Sequence, residues 1–128
     1  YFFAIIAALH AGTLLHNKQF IHVTSPEVKK TLTDYTNSFN ALDYSLTSQR
    51  NTMTPAILNG ILAKFKPLNE GMLELLNNIK GRSPKIFQST SYVTLPQSFF
   101  DGIDHMIAEH EMMKKASEFN LSALKIPN

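Results

Sequence analysis

Three side chains near the carboxyl end of the chain have the types and the spacing of a metal-binding or proton-transferring group. Asp101, His105 and Glu109 follow one another at intervals of four residues, which places them on one face of a helix. A histidine and a carboxylate one helical turn apart can supply two ligands of a metal site. Whether the triplet does so depends on which way this helix face points.

The helical phase of the triplet favours a solvated surface. The apolar face of the same helix runs through Ile103, and His105 lies about 200° around the helix from it, at about 100° per residue. Glu70 and Glu74 would have to complete a di-iron site, but ferritin-like sites require Glu-x-x-His on two helices, and this sequence contains no such pair. We therefore predict no metal site, with a weak surface site as the alternative.

His110 differs from the triplet because it falls on the apolar face of that helix. A single histidine on such a face is typically a neutral core residue with one hydrogen bond, and this is our first interpretation. The alternative is that His110 anchors the polar head of a ligand inside the protein.

Other catalytic signatures do not occur in the sequence. There is no cysteine, which excludes disulfides, thiolate zinc sites and cysteine catalysis. There is no Gly-x-Ser-x-Gly motif, and the five glycines are isolated instead of forming a phosphate-binding loop. The formal net charge is only +2, which gives no strong field for nucleic acid. We therefore expect a protein that is not an enzyme, needs no cofactor and does not bind nucleic acid.

Long amphipathic helices must position these residues. The clearest spans about residues 26–48, where apolar residues recur at spacings of 4, 3, 4, 3 and 4. They are Val28, Leu32, Tyr35, Phe39, Leu42 and Leu46. Ser25 supplies an N-cap hydroxyl, and Pro26 follows where a helix tolerates proline. A helix with one long apolar stripe must bury it against partners, so the sequence predicts a helical bundle.

Two further helices complete the predicted bundle. Thr54-Pro55 begins one that extends to about residue 80, and Pro67 inside it predicts a kink or a junction of two helices. The last spans about residues 96–119. Residues 82–95 connect them and are numerous enough to contain a short helical turn. The predicted buried anchors of this connection are Ile86, Phe87, Tyr92 and Val93.

The N-terminal segment is uncharged up to residue 17 and begins with an apolar run from Tyr1 to Leu9. This run is too short to cross a bilayer, which takes about 20 residues. It suits the apolar core of a trimmed secretory signal peptide; a buried first helix, or a helix that contacts a membrane or another subunit, is the alternative. The predicted fold is a single all-α domain over residues 1–128, in which three long antiparallel helices follow an apolar N-terminal helix or signal remnant (1–16).

The apolar spacing between residues 54 and 113 resembles that of a known family. The residues that carry the likeness are Thr54-Pro55, Ile61-Leu62, Phe65, Leu68, Met72, Leu75-Leu76, Ile79-Lys80, Phe87, Val93, Leu95, Phe99 and Met106-Ile107. This pattern is similar to the fungal hydrophobic-surface-binding protein A family, which includes cell-wall galactomannoproteins. The resemblance implies an all-α bundle that binds a fatty acid, another lipid or a hydrophobic surface, and it implies a secreted or cell-surface protein.

A ligand of this kind is expected to lie in an apolar cavity between the helices, with His110 or Tyr35 holding its carboxylate. The residues predicted to line the cavity are Leu32, Tyr35, Phe39, Leu62, Phe65, Leu76, Phe99, Ile103, Met106 and His110. Burial of the acyl chain would drive binding, at about 25 cal/mol per Å². The alternative function is a structural or interaction subunit that docks on a protein partner, or on a second copy, through residues 1–16. A metal-dependent enzyme or oxygen carrier is a third hypothesis.

Overall fold

The computed structural model describes the backbone of residues 2–124 and the side chains of residues 3–118. In this part of the chain there is no strand, and five α-helices pack against one another. They are α1 (Phe2–Leu15), α2 (Lys18–Val23), α3 (Pro26–Ser48), α4 (Pro55–Lys80) and α5 (Gln97–Leu124). The predicted all-α bundle is confirmed.

The helices begin where the sequence places capping residues. The Thr54 hydroxyl accepts a hydrogen bond of 3.2 Å from the Ile57 backbone N–H at the start of α4. The Asn17 side chain accepts one of 3.0 Å from the Phe20 backbone N–H and so caps α2. Such bonds satisfy backbone donors that have no partner within the helix. α3 starts at Pro26, whose fixed φ angle suits the first helical position, but the predicted Ser25 cap is wrong, because its side chain makes no capping hydrogen bond.

The four long helices form a closed antiparallel ring. Phe3 of α1 lies beside Leu46 near the end of α3, and the Phe39 ring of α3 lies 5.8 Å from the Phe65 ring of α4. α4 then packs along α5, which returns to α1 through a contact between two histidines, described below. α3 packs between α1 and α4, and α4 packs between α3 and α5, whereas α1 meets α5 only over a short stretch; the helix order is that of an up-down four-helix bundle.

α1 supplies the fourth helix of this bundle and is buried on one face only. Its fully buried residues are four alanines and one leucine (Ala4, Ala7, Ala8, Ala11 and Leu14), and Phe3, Ile6 and Leu15 pack against the core as partly buried residues. Small side chains let the α1 backbone approach α3 closely. On the outer face, the side chains of Ile5 and Leu9 are 41% and 61% exposed. Residues 2–15 therefore form the first helix of the bundle, which the sequence analysis gave as an alternative to a signal peptide. The helix is buried on one face, whereas that alternative expected it to be buried on all sides.

None of the helices that the structure describes is both long enough and apolar enough to span a bilayer.

α4 is one continuous helix that contains Pro67, so the alternative of two helices meeting near this residue is wrong. A proline inside a helix removes one backbone hydrogen bond, here the bond to the carbonyl of Ala63. Both Ala63 and Pro67 are exposed, so water can satisfy that carbonyl. The lost bond is therefore tolerated without a break in the helix.

The connection between α4 and α5 is fastened to the junction of α2 and α3. The Ser25 N–H donates to the Ile86 carbonyl at 2.9 Å, and the Gln88 N–H donates to the Val23 carbonyl at 3.1 Å. Ile86 and Phe87 are buried and Tyr92 is half-buried, as predicted, and the expected short helical turn is the 3-10 turn Ser91–Thr94. The prediction for Val93 is wrong, because this side chain is exposed on the outer side of that turn.

α5 continues past its predicted end at 119 and is helical as far as Leu124, the last residue that the structure describes. The prediction took Asn120 as a stop signal. A single asparagine lowers helix propensity by less than about 1 kcal/mol, which does not end a helix of this length.

Candidate functional site

The residues predicted to line a ligand cavity belong to the packed interior. Six of them are buried and four are half-buried. The buried ones are Leu32, Phe39, Phe65, Leu76, Ile103 and His110. The half-buried ones are Tyr35, Leu62, Phe99 and Met106. They lie at different places in one continuous apolar core, where Phe39 and Phe65 contact each other and Phe99 stacks on Phe20, 5.1 Å away.

An enclosed void lies beside two of these residues, between α1, α3 and α4. It measures about 40 Å³ and is lined by Phe3, Ala4, Leu42, Leu46, Leu58, Ile61, Leu62 and Phe65. This is little more than the space of one water molecule, about 30 Å³. Small-molecule sites measure roughly 300–1,000 Å³. This void does not hold an acyl chain, and a ligand role for the ten residues stays a prediction.

Tyr35, one of the two predicted carboxylate anchors, lies against the backbone of α4. Its hydroxyl covers Gly71, and a Cβ atom at this position would overlap with the hydroxyl oxygen. Burial, followed by the nearby Glu74 carboxylate, raises the pKa of Tyr35 above its ordinary value. A side chain at position 71 would therefore force the Tyr35 hydroxyl to move.

The second predicted anchor, His110, is completely buried and is paired with Asn69 of α4, which is buried as well. The Asn69 amide nitrogen donates to the His110 backbone carbonyl at 2.9 Å, so the amide oxygen faces the ring. Ring nitrogen Nδ1 lies 2.7 Å from that oxygen and must carry the proton of this bond. The Nε2 atom of the neutral ring is therefore an acceptor.

A second histidine, His10 of α1, supplies the donor for that acceptor. Its Nδ1 atom lies 2.9 Å from His110 Nε2. Its other ring nitrogen, Nε2, lies 3.5 Å from Glu109 Oε1, and His105 Nε2 lies 2.7 Å from the same oxygen. A continuous chain of polar contacts thus runs from buried Asn69 to exposed His105. We call this set of five residues the histidine chain.

Burial determines the protonation of both inner histidines. Burial, and to a smaller extent the neighbouring His10, lower the pKa of His110 to about 3. Burial also lowers the pKa of His10; Glu109 opposes this shift and His105 adds to it. The prediction that His110 is a neutral core residue agrees with its burial, but the ring makes two hydrogen bonds instead of one.

The residues of the Asp101, His105 and Glu109 triplet differ in their surroundings: the first two face solvent, and Glu109 points to His10 within the histidine chain. Asp101 and His105 are exposed, as their helical phase predicted, and Asp101 accepts a hydrogen bond of 3.1 Å from Gln97. Glu109 is half-buried and turns toward His10. In the part of the chain that the structure describes, no three His, Cys, Asp or Glu side chains are arranged to hold a metal ion.

An open groove runs along the outer surface between α1 and α3, where the sequence analysis placed no site. Its first half, about 460 Å³, is lined by Ile5, Ala8, Leu9, Gly12, Thr13, His16, Thr36 and Asn40. Its second half, about 530 Å³, is lined by Leu15, His16, Lys18, Ile21, His22, Lys29 and Thr33. His16 lines both, so the two halves meet at this residue, and α2 forms part of the wall of the second half. We call them the apolar half and the basic half of the α1–α3 groove.

The two halves differ in the chemistry that they present. The apolar half has no charged side chain, and Gly12 leaves it open because nothing approaches the space in which a Cβ atom would lie. The basic half has two lysines and two histidines, and no carboxylate lines either half. Within residues 3–118 neither lysine forms an ion pair. The groove can therefore receive a molecule with an apolar chain and an anionic head.

The sequence contained signals for both features that the prediction missed. Asn69 follows Phe65 by four residues and precedes Met72 by three, so it lies on the apolar stripe of α4 and must be buried. Ile5 and Leu9 are one helical turn apart and share the outer face of α1. That face was overlooked because the segment was expected to be either removed or wholly buried.

Comparisons with protein families, with curated proteins and with solved structures found no match to this chain. The resemblance to the hydrophobic-surface-binding protein A family, and the secreted location that it implies, therefore stay predictions. The function has to be argued from the geometry described above.

Proposed function

We propose that this protein binds an amphipathic lipid with an anionic head, such as a fatty acid, in the α1–α3 groove, and that it does so without catalysis. The observation that carries the proposal is the polarity of the groove along its length. One end is apolar and uncharged. The other end is lined by Lys18 and Lys29, and no carboxylate is among its lining residues. The ligand class is the one expected from the sequence, but the site moves from the interior to the surface.

The apolar half supplies most of the binding free energy in this proposal. Removing a methylene group from water contributes about 0.8 kcal/mol when the group is fully buried. An open groove covers roughly half of a chain, so twelve carbons would contribute roughly 5 kcal/mol. A surface ion pair adds about 0.2–1 kcal/mol. The dissociation constant should therefore be on the order of 0.1 mM.

The basic half determines which head group is accepted. Lys18 and Lys29 favour a carboxylate and repel a cation of the same chain length. Calorimetric titration at pH 7.5 with dodecanoate and with dodecyltrimethylammonium tests this preference. We expect binding of the first and at least about tenfold weaker binding of the second. Equal affinities would contradict a role for the lysines, and no heat with dodecanoate would contradict the proposed function.

A substitution that fills the apolar half tests the location of the site. In Gly12→Leu the new side chain enters open space, and the helix gains about 1 kcal/mol from the loss of glycine, so the variant should fold. Dodecanoate binding should fall below detection. Gly102→Leu is the matched control, since Gly102 is also helical and open but lies on α5, outside the groove. Unchanged binding by Gly12→Leu would place the ligand elsewhere.

The lysines can be tested in the same assay. The double variant Lys18→Gln, Lys29→Gln should weaken dodecanoate binding by about three- to tenfold, in line with one or two exposed ion pairs. Added salt should reduce the difference between this variant and the wild type, because ions screen surface charges. Lys64→Gln, at an exposed position of α4, is the control for a general loss of positive charge.

Docking on a protein partner through α1 is the second candidate, and the exposure of Ile5 and Leu9 favours it. Self-association is the form of this candidate that the purified chain can test. Sedimentation equilibrium should then show a dimer that Leu9→Gln dissociates. A monomer at about 0.1 mM would exclude a second copy as the partner.

A further inference from the structure

The histidine chain joins two helices that otherwise touch little. α1 packs along α3, whereas it meets α5 only over a short stretch near His10. Four of the five buried residues on the inner face of α1 are alanines, and each of these buries only one methyl group. The bond between His10 and His110 is therefore a large part of what holds α1 against α5.

This bond depends on how many protons the two rings carry. A 2.9 Å contact between two ring nitrogens requires one N–H and one lone pair. The requirement is met when both rings are neutral, and also when a single added proton lies on His10, because its Nε2 atom then donates to Glu109. With a proton on both rings, two N–H groups and two positive charges face each other. The contact cannot persist in that state.

The surroundings do not offer the second proton a compensating charge. The charged and titratable groups that face the two rings are Glu109 and His105, both from α5. α4 contributes the uncharged amide of Asn69. Among the described residues, no titratable side chain of α3 or α4 forms a hydrogen bond or an ion pair with either ring. The Glu109 carboxylate, which already contacts His105, would have to balance the positive charge of both rings.

We propose that His10 and His110 form an acid-sensitive latch, which holds α1 on α5 while the pair carries at most one proton and opens when a second proton binds. Solvent-exposed histidines have a pKa near 6.5, so the open state gains protons, and population, as the pH falls below that value. Because α1 forms one wall of the α1–α3 groove, opening also releases a bound lipid. This last step rests on the proposed function, whereas the latch itself does not.

Amide hydrogen exchange of the whole chain at pH 7.5 and pH 5, corrected for intrinsic rates, tests the latch. Protection of the α1 amides should fall at least about tenfold at pH 5 and should lie below that of the α4 amides of residues 72–79, which exchange only when the whole protein unfolds. In His10→Gln the amide side chain can still donate to His110 but does not titrate, so the acid effect on α1 should shrink to the part that His110 alone contributes. Equal α1 protection at both pH values, or the same acid effect in the variant, would overturn the latch.

A second measurement on the wild type needs no substitution. Ring NMR signals of His10 and His110 should show the second protonation together with the loss of α1 protection. If both rings become protonated while α1 stays protected, the latch is wrong.

The lipid step is tested with dodecanesulfonate, whose head group stays anionic at both pH values. We expect binding at pH 7.5 and at least about fivefold weaker binding at pH 5. Absence of binding at pH 7.5 contradicts the proposed function. It does not bear on the latch, which the amide hydrogen exchange tests independently. Equal binding at both values, with an open α1, contradicts the coupling between latch and groove.

Discussion

Acidification should destabilise the whole protein by an amount that His110 largely sets. The folded state lowers the pKa of this ring from 6.5 to about 3, because the ring is buried. The unfolded state therefore binds more protons than the folded state at every pH between these values. The stabilisation from the neutral ring is complete above pH 6.5 and is lost as the pH falls from 6.5 toward 3.

The size of the effect follows from linkage. One unit of pKa difference corresponds to 1.36 kcal/mol. Between pH 6.5 and pH 5, a range of about 1.5 pH units, the ring is protonated in the unfolded state but not in the folded state. The free energy of unfolding should then be about 2 kcal/mol lower at pH 5 than at pH 8. A domain of this size typically has 5–15 kcal/mol in total, so the loss is easily measured. The lowered pKa of His10 acts in the same direction.

Urea unfolding at pH 8, 6.5 and 5, followed by circular dichroism, measures this dependence. In His110→Gln the stability at pH 8 should be lower, since a packed and hydrogen-bonded ring is lost, but most of the difference between pH 8 and pH 5 should vanish. His22→Gln, at an exposed position of α2, is the control and should keep the wild-type slope. A wild-type stability that does not change between pH 8 and 5, or an unchanged slope in His110→Gln, would refute the reasoning.

Two further substitutions test the packing around the buried polar groups. Gly71→Ala should destabilise the protein by about 1–3 kcal/mol despite the better helix propensity of alanine, because its Cβ atom meets the Tyr35 hydroxyl. Tyr35→Phe removes that oxygen, so the double variant should regain most of the loss in thermal unfolding; an additive loss would contradict the clash. Asn69→Leu leaves the His110 Nδ1–H buried without its acceptor and should cost about 1–3 kcal/mol in urea unfolding, while no loss would show that the two bonds add nothing.

The sequence predicted the helices that bear a regular apolar stripe. Five of the six stripe residues of α3 are buried, and only Tyr35 is half-buried. The period suffices here because a stripe repeating every three or four residues can be buried only by a helix. The ends of the helices are harder to predict. Asn120 was expected to end α5, but one residue of low helix propensity costs less free energy than the neighbouring helical turns contribute.

α1 could not be placed from its sequence because it is apolar on all sides. Without a polar face, neither the orientation of Ile5 and Leu9 nor the retention of the helix in the bundle follows from periodicity. The small residues on its inner face allow α3 to approach closely, and this role follows only from the position of α3. The groove between the two helices is therefore a product of packing.

The Asp101, His105 and Glu109 triplet illustrates the division between sequence and structure. Helical phase is a local property, so the spacing alone predicts that the three residues share a helix face and that Asp101 and His105 are solvated. The contacts of Glu109 with His10 and of His110 with Asn69 come from the packing of the helices, since these partners are 99 and 41 residues apart in the chain. Contacts over such separations arise from the order in which helices pack, which the pattern of any one helix does not contain.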